Sequence, residues 1–148
     1  MEKIYEVLSI KQVINEKVVG YESTINSTKT GALMATEEIG SEANEVLIVA
    51  CLNTKNKIVA LHRVSVGSIN SSVAHPREIF KAAILNNATR IMMFHNHPSG
   101  DTEPSQADIS ITERILEAGN LLGIDLLDHI IVSDNPKNYT SLRGYGVF

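Results

Sequence analysis

Apolar residues fall along this chain in two periods, one suited to strands and one to helices. From Glu45 to Asn53 almost every position is apolar (Val46-Leu47-Ile48-Val49-Ala50-Cys51-Leu52), which predicts a strand. Asn53-Thr54-Lys55-Asn56 is turn chemistry and Lys57 to Val66 resumes as a second strand, so the pair predicts a hairpin. A shorter run, Arg90 to Phe94, predicts a buried central strand that delivers His95 at its end. Helical spacing predicts three helices. Thr30 to Glu42 is rich in Ala, Leu and Met and has Gly40 near its end. Pro76 to Ala88 starts with proline and carries Phe80, Ala83 and Leu85. Ser105 to about Leu122 aligns Ile111, Ile115, Ala118 and Leu122 as one stripe.

Ile124 to Ser133 is β-rich, and Tyr139 to Leu142 predicts a last short strand. Ser65 to Ser72 and residues 98–104 read as loops, and residues 66–75 and 98–104 border the expected cleft. Residues 1–29 form an N-terminal segment of mixed polarity, expected to hold one or two edge strands, with Leu8 to Val19 ambiguous. Helices interspersed with hairpin-paired strands define a mixed α+β (α/β) domain, a mixed sheet flanked by helices, over residues 30–148.

The 148 residues suffice for one domain with a substantial core. A net charge of −4, with no dense Lys/Arg cluster, argues against nucleic-acid binding through this chain alone. The single cysteine, Cys51, excludes an intrachain disulfide and a Cys-rich zinc site, and its apolar run predicts a buried thiol. No apolar run approaches the ~18 residues that span a membrane, and no signal-peptide pattern opens the chain, so a cytoplasmic protein is expected. An edge strand near the N-terminus would leave a homo-oligomer open.

The chemistry concentrates in His95-Asn96-His97-Pro98 followed by Ser105 and Asp108. Two histidines at i and i+2 leave an extended strand end on the same side and can reach one ion. A carboxylate supplies a third ligand, leaving the fourth position of a catalytic zinc site for water. Such a set suits Zn²⁺, although Mn²⁺, Fe²⁺ or Ni²⁺ would also bind it. Ser105-x-x-Asp108 equally describes a helix N-cap with an acidic third residue, and the two readings are compatible.

Taken together, Phe94-His95-Asn96-His97-Pro98-Ser99-Gly100-Asp101 and Pro104-Ser105-Gln106-Ala107-Asp108 resemble the signature of JAMM/MPN-type (JAB domain) metalloproteases, specifically their RadC-like branch. His75-Pro76-Arg77-Glu78 and Leu127-Asp128-His129 extend the resemblance over roughly residues 30–148. The deubiquitinase-like branch usually carries Ser or Thr between the histidines. Asn96 is usual for RadC-like members.

The resemblance implies a single JAMM/MPN-like domain with cytidine-deaminase-like layering. It implies one zinc ion on His95, His97 and Asp108, and hydrolysis of an amide or isopeptide bond in an unidentified peptide or protein substrate. Ser105 would steady the oxyanion. Glu45 would be the general base, with Glu42 as a rival expected on the preceding helix. Longer RadC-like proteins add a helix-hairpin-helix module, and DNA contact through one is not expected of these residues. Two other readings follow from the family: a DNA-repair-associated role acting on or near DNA, and a metal-bound interaction module without catalysis. His62 is expected to pack in or beside the second strand, His75 to sit in a loop or cap, and His129 to support the site or fill the core.

Overall fold

The computed structural model describes residues 1–66 and 74–148. Its first helix, α1 (Thr28–Ile39), begins where the Ser27 side chain accepts a hydrogen bond from the Thr30 amide. It ends earlier than the sequence pattern suggests. Gly40 lies so close to the chain after the fourth strand that a Cβ there would sit 2.5 Å from the Ser133 carbonyl oxygen, and the backbone turns away at Ser41. Glu42 therefore lies beyond α1 and not on it.

The predicted hairpin is present as β1 (Val46–Leu52) and β2 (Ile58–Val66), paired antiparallel. Its turn is built by asparagines. The Asn53 side chain accepts from the Lys55 and Lys57 amides, and Asn56 adopts a left-handed φ of 59°, which asparagine tolerates better than most residues. Helix α2 (Pro76–Leu85) follows, with His75 as its N-cap accepting from the Arg77 amide. The expected Gly67 and Ser72 loop lies outside the described residues, as does the part of the cleft border assigned to residues 67–73.

The central strand β3 (Arg90–Asn96) runs antiparallel to β1. Helix α3 (Gln106–Leu122) then crosses over to β4 (Asp125–Val132), which lies parallel to β3. The chain finishes with β5 (Tyr139–Ser141), antiparallel to β4, and one turn of helix, α4 (Leu142–Tyr145). The five-stranded mixed sheet has the order β2-β1-β3-β4-β5.

Strand alternation divides the core between the two faces of this sheet. Leu47, Val49 and Cys51 of β1 and Ile91 and Met93 of β3 pack against Ile79 and Phe80 of α2 and Ile111 and Ile115 of α3. Ile48 and Ala50, Met92 and Phe94, and Ile130 and Val132 face Met34, Ala35 and Ile39 of α1. The result is a three-layer α+β domain with α1 on one face and α2 and α3 on the other. All seven residues of β1 are buried, as its uninterrupted apolar run requires. Among the described residues no helix is long and apolar enough to cross a membrane.

The expectation of edge strands in the first 29 residues is not met. Residues 1–22 have no regular secondary structure, and the one ladder contact of the segment is a bridge between Thr24 and Lys57. Side chains hold its earlier part: Gln12 exchanges amide hydrogen bonds with Asn86 after α2, while Lys17 and Tyr21 bind Glu38 on α1. These anchors tie it to residues at the ends of two helices, and backbone hydrogen bonds from the Ile58 amide to the Ser23 carbonyl and from the Ile25 amide to the Asn56 carbonyl hold its later part against the β1–β2 hairpin. Its earlier apolar residues, Ile4, Leu8, Val13 and Val18 among them, stay exposed, whereas Ile25 near its end is buried.

Candidate metal centre

The site forms where β3 ends and α3 begins. On β3 the side chains alternate, so His95 enters the layer of α3 while Asn96 points to the α1 face. The ladder continues one bond further, His97 N donating to the Val132 carbonyl at 2.9 Å, which keeps His97 on the side of His95. Pro98 to Gly100 then reverses the chain, with Gly100 at a left-handed φ of 87° and its amide donating to the His97 carbonyl. Thr102 hydrogen-bonds Asn138 and Thr140, securing this loop to β5.

The chain enters α3 through a capping box. Ser105 Oγ accepts from the Asp108 amide at 3.0 Å, and Asp108 Oδ2 accepts from the Ser105 amide at 2.8 Å. The box orients the Asp108 carboxylate toward the histidines. Its Oδ1 lies 3.1 Å from His95 Nε2 and its Oδ2 3.2 Å from His97 Nε2, and the two Nε2 atoms are 2.9 Å apart. All three ligand atoms fall within 4.8 Å of one another.

This geometry fits a metal ion. Zinc bonds of 2.0–2.1 Å in a tetrahedron separate ligand atoms by about 3.3 Å, close to the observed spacings. Two imidazoles and one carboxylate with an open fourth position suit a first-row divalent ion. The electrostatics agree. Burial alone would raise the Asp108 carboxyl, but hydrogen bonds from His95 and His97 outweigh it and hold the group well below the usual carboxylate range. His97 is pushed upward, first by its hydrogen bond to Asp108, against burial, with help from the Asp101 carbonyl and from the charge of Glu45.

Glu45 is half-buried at the position before β1. Leu47 pairs with His95 across the β1–β3 ladder, so continuing that register sets Glu45 opposite His97 and on the same face. Its rival Glu42 binds Arg63 at 3.2 Å in a half-exposed ion pair. Ser105 is exposed beside Asp108, and its cap role uses a lone pair and leaves the hydroxyl proton free to donate.

Three residues support the site in ways the motif alone does not reveal. The buried Asn96 side chain accepts from the Val46 amide at 2.7 Å and donates to the Glu42 and Asn44 carbonyls at 3.2 and 3.0 Å, clamping the segment that carries Glu45. In the sequence Asn96 reads only as a family marker. His129, left open between core and support, meets His95 with Nε2 on Nδ1 at 2.7 Å. Thr112, which the sequence does not single out, approaches the other nitrogen of His129 at 2.6 Å. Its one signal is the four-residue spacing from Asp108 on the same helix face. His129 is fully buried, and burial lowers its imidazole well below the ordinary value. Asp128 turns away, accepting from Ser141, from the Arg143 amide and from the His129 amide, and so joins α4 to β4.

An α+β domain with two histidines at a strand end and a carboxylate opening the next helix is a candidate metalloprotein of the JAB type. The profile of the RadC-like JAB domain matches residues 25–147, and the chain belongs to that family. A UPF0758 protein of Caldanaerobacter subterraneus is 49% identical over 109 residues, covering 74% of this chain and 47% of that protein. One from Clostridium beijerinckii is 43% identical over 149 residues, covering 98% of this chain and 64% of its own length. One from Bacillus velezensis is 39% identical over 144 residues, covering 97% and 62%. The chain thus spans from about half to under two-thirds of the length of these relatives.

Proposed function

We propose that the domain is a zinc-dependent hydrolase that cleaves an amide or isopeptide bond in a peptide or protein. The observation that carries this reading is the convergence of His95 Nε2, His97 Nε2 and the Asp108 carboxylate at ligand spacing, with a second carboxylate, Glu45, on the same face. Zinc on these three residues would supply Lewis acidity, giving an acidified water and a polarised carbonyl.

The remaining work falls to side chains. Glu45 would take the water's proton on its carboxylate and return it to the departing amine nitrogen, the role general acid–base catalysis needs near neutral pH. The Ser105 hydroxyl, with its oxygen already fixed by the Asp108 amide, would donate its proton toward the carbonyl oxygen as negative charge develops there. A donor of this kind is typically worth on the order of 10²–10³ in rate.

The test is hydrolysis of a panel of fluorogenic peptides and isopeptide-linked peptides by the zinc-loaded protein and its Glu45→Gln variant. The variant is expected to fold, to keep its metal and to lose turnover by roughly 10²-fold or more. Wild-type turnover in Glu45→Gln, or turnover that survives removal of the metal, would overturn the assignment.

A further inference from the structure

Behind the metal-facing groups lies a chain of polar contacts that ends on the backbone of a candidate ligand. His129 stands beside Met93 in the β3–β4 ladder and is wholly buried. Its Nε2 is 2.7 Å from His95 Nδ1, and its Nδ1 is 2.6 Å from Thr112 Oγ1. Thr112 is also fully buried, one turn after Asp108 on α3, and its hydroxyl lies 2.7 Å from the Asp108 carbonyl oxygen.

Donor counting fixes the protons along this chain. A carbonyl oxygen only accepts and a hydroxyl carries one proton, so Thr112 donates to Asp108 and turns a lone pair toward His129. His129 Nδ1 must then carry a proton. Its neutral ring presents a bare Nε2, which in turn requires a proton on His95 Nδ1. His95 Nε2 remains to face His97 Nε2 and Asp108 Oδ1.

We propose that Thr112 and His129 are positioning residues, a relay that holds the proton on His95 Nδ1 and so presents Nε2 as the nitrogen that binds the ion. The inference rests on reading His95, His97 and Asp108 as a metal centre. His97 reaches the same state in one step, its Nδ1 lying 2.7 Å from the Asp101 carbonyl. His95 is buried at a strand end and depends on two further side chains. The relay begins at the carbonyl of Asp108, so one residue offers its carboxylate to the site and also orders the protons of the first imidazole. Partners of this kind typically change metal affinity 10–100-fold.

The experiment pairs Thr112→Val, which keeps the shape and removes the hydroxyl, with Thr112→Ser, which restores it. Zinc affinity is read by competition with a chromophoric chelator. Thr112→Val is expected to bind zinc roughly 10–100-fold more weakly, while Thr112→Ser stays close to wild type. Equal affinity in Thr112→Val and wild type overturns the relay. A second readout uses wild-type protein alone, so it stands even if the valine variant does not fold. Imidazole ¹H–¹⁵N correlation spectra should show His129 protonated at Nδ1 and bare at Nε2, and His95 protonated at Nδ1 with and without zinc. A proton on His129 Nε2 overturns the relay. Failure of the wild type to bind zinc would count against the metal centre itself, and the nitrogen spectra would still decide the proton order.

Discussion

The carboxylate of Asp108 closes the capping box of α3 with Oδ2, while its two oxygens face His95 and His97, so helix initiation and the candidate ligand set share one side chain. That economy explains why the motif reads from sequence both as an ordinary cap and as a metal site. The same scale separates the surroundings of Glu42 and Glu45. Glu42 is engaged by Arg63, whereas Glu45 continues the β1–β3 register toward His97. Cys51 offers an independent check on the core. Burial pushes its thiol from 9.0 up to about 11. The unfolded thiol ionises first, so stability is intact below its unfolded value and falls as pH climbs above it, by about 1.4 kcal/mol at pH 10. Urea midpoints measured from pH 8 to 10 should decline more steeply in wild type than in Cys51→Ala. Parallel curves would place the thiol in contact with solvent.

At the scale of elements, the site depends on strand alternation: His95 and His97 face α3 because Asn96 faces α1. Asn96 uses its opposite orientation to hold the lead-in to β1, and of its three backbone partners only the Val46 amide is in a buried residue. Asn96→Ala should therefore destabilise the domain by about 1–3 kcal/mol, mainly through that orphaned amide, while leaving metal stoichiometry unchanged. Chemical denaturation and elemental analysis of one sample check both halves. The elements themselves were largely legible, because long apolar runs and a turn such as Asn53 to Asn56 state their own periods. Less legible were features set by partners distant in sequence. Helix α1 stops short of Glu42 with Gly40 packed on the Ser133 backbone, and the N-terminal segment is anchored through Gln12, Lys17 and Tyr21 without forming a strand. The candidate ligands His95, His97 and Asp108 are legible from the motif's spacing and its family resemblance, whereas Thr112 and His129 are joined only by the packing of α3 on β4.

Across the whole molecule, the sheet order β2-β1-β3-β4-β5 is what assembles the site. It brings Glu45 before β1, the histidines ending β3, and His129 on β4 to adjacent positions, and α3 crosses over them with Asp108 and Thr112. An ion held there would join β3 to α3, so site and fold are expected to be thermodynamically linked. A net charge of −4 gives no general attraction for phosphate backbones. The most direct measurement is the zinc content of purified wild type beside His97→Ala and Asp108→Ala, by elemental analysis after dialysis and reloading. About one zinc per chain in wild type, lost in both folded variants, is the predicted result. A folded wild type that takes up no metal, or variants that retain a full complement, would contradict the account.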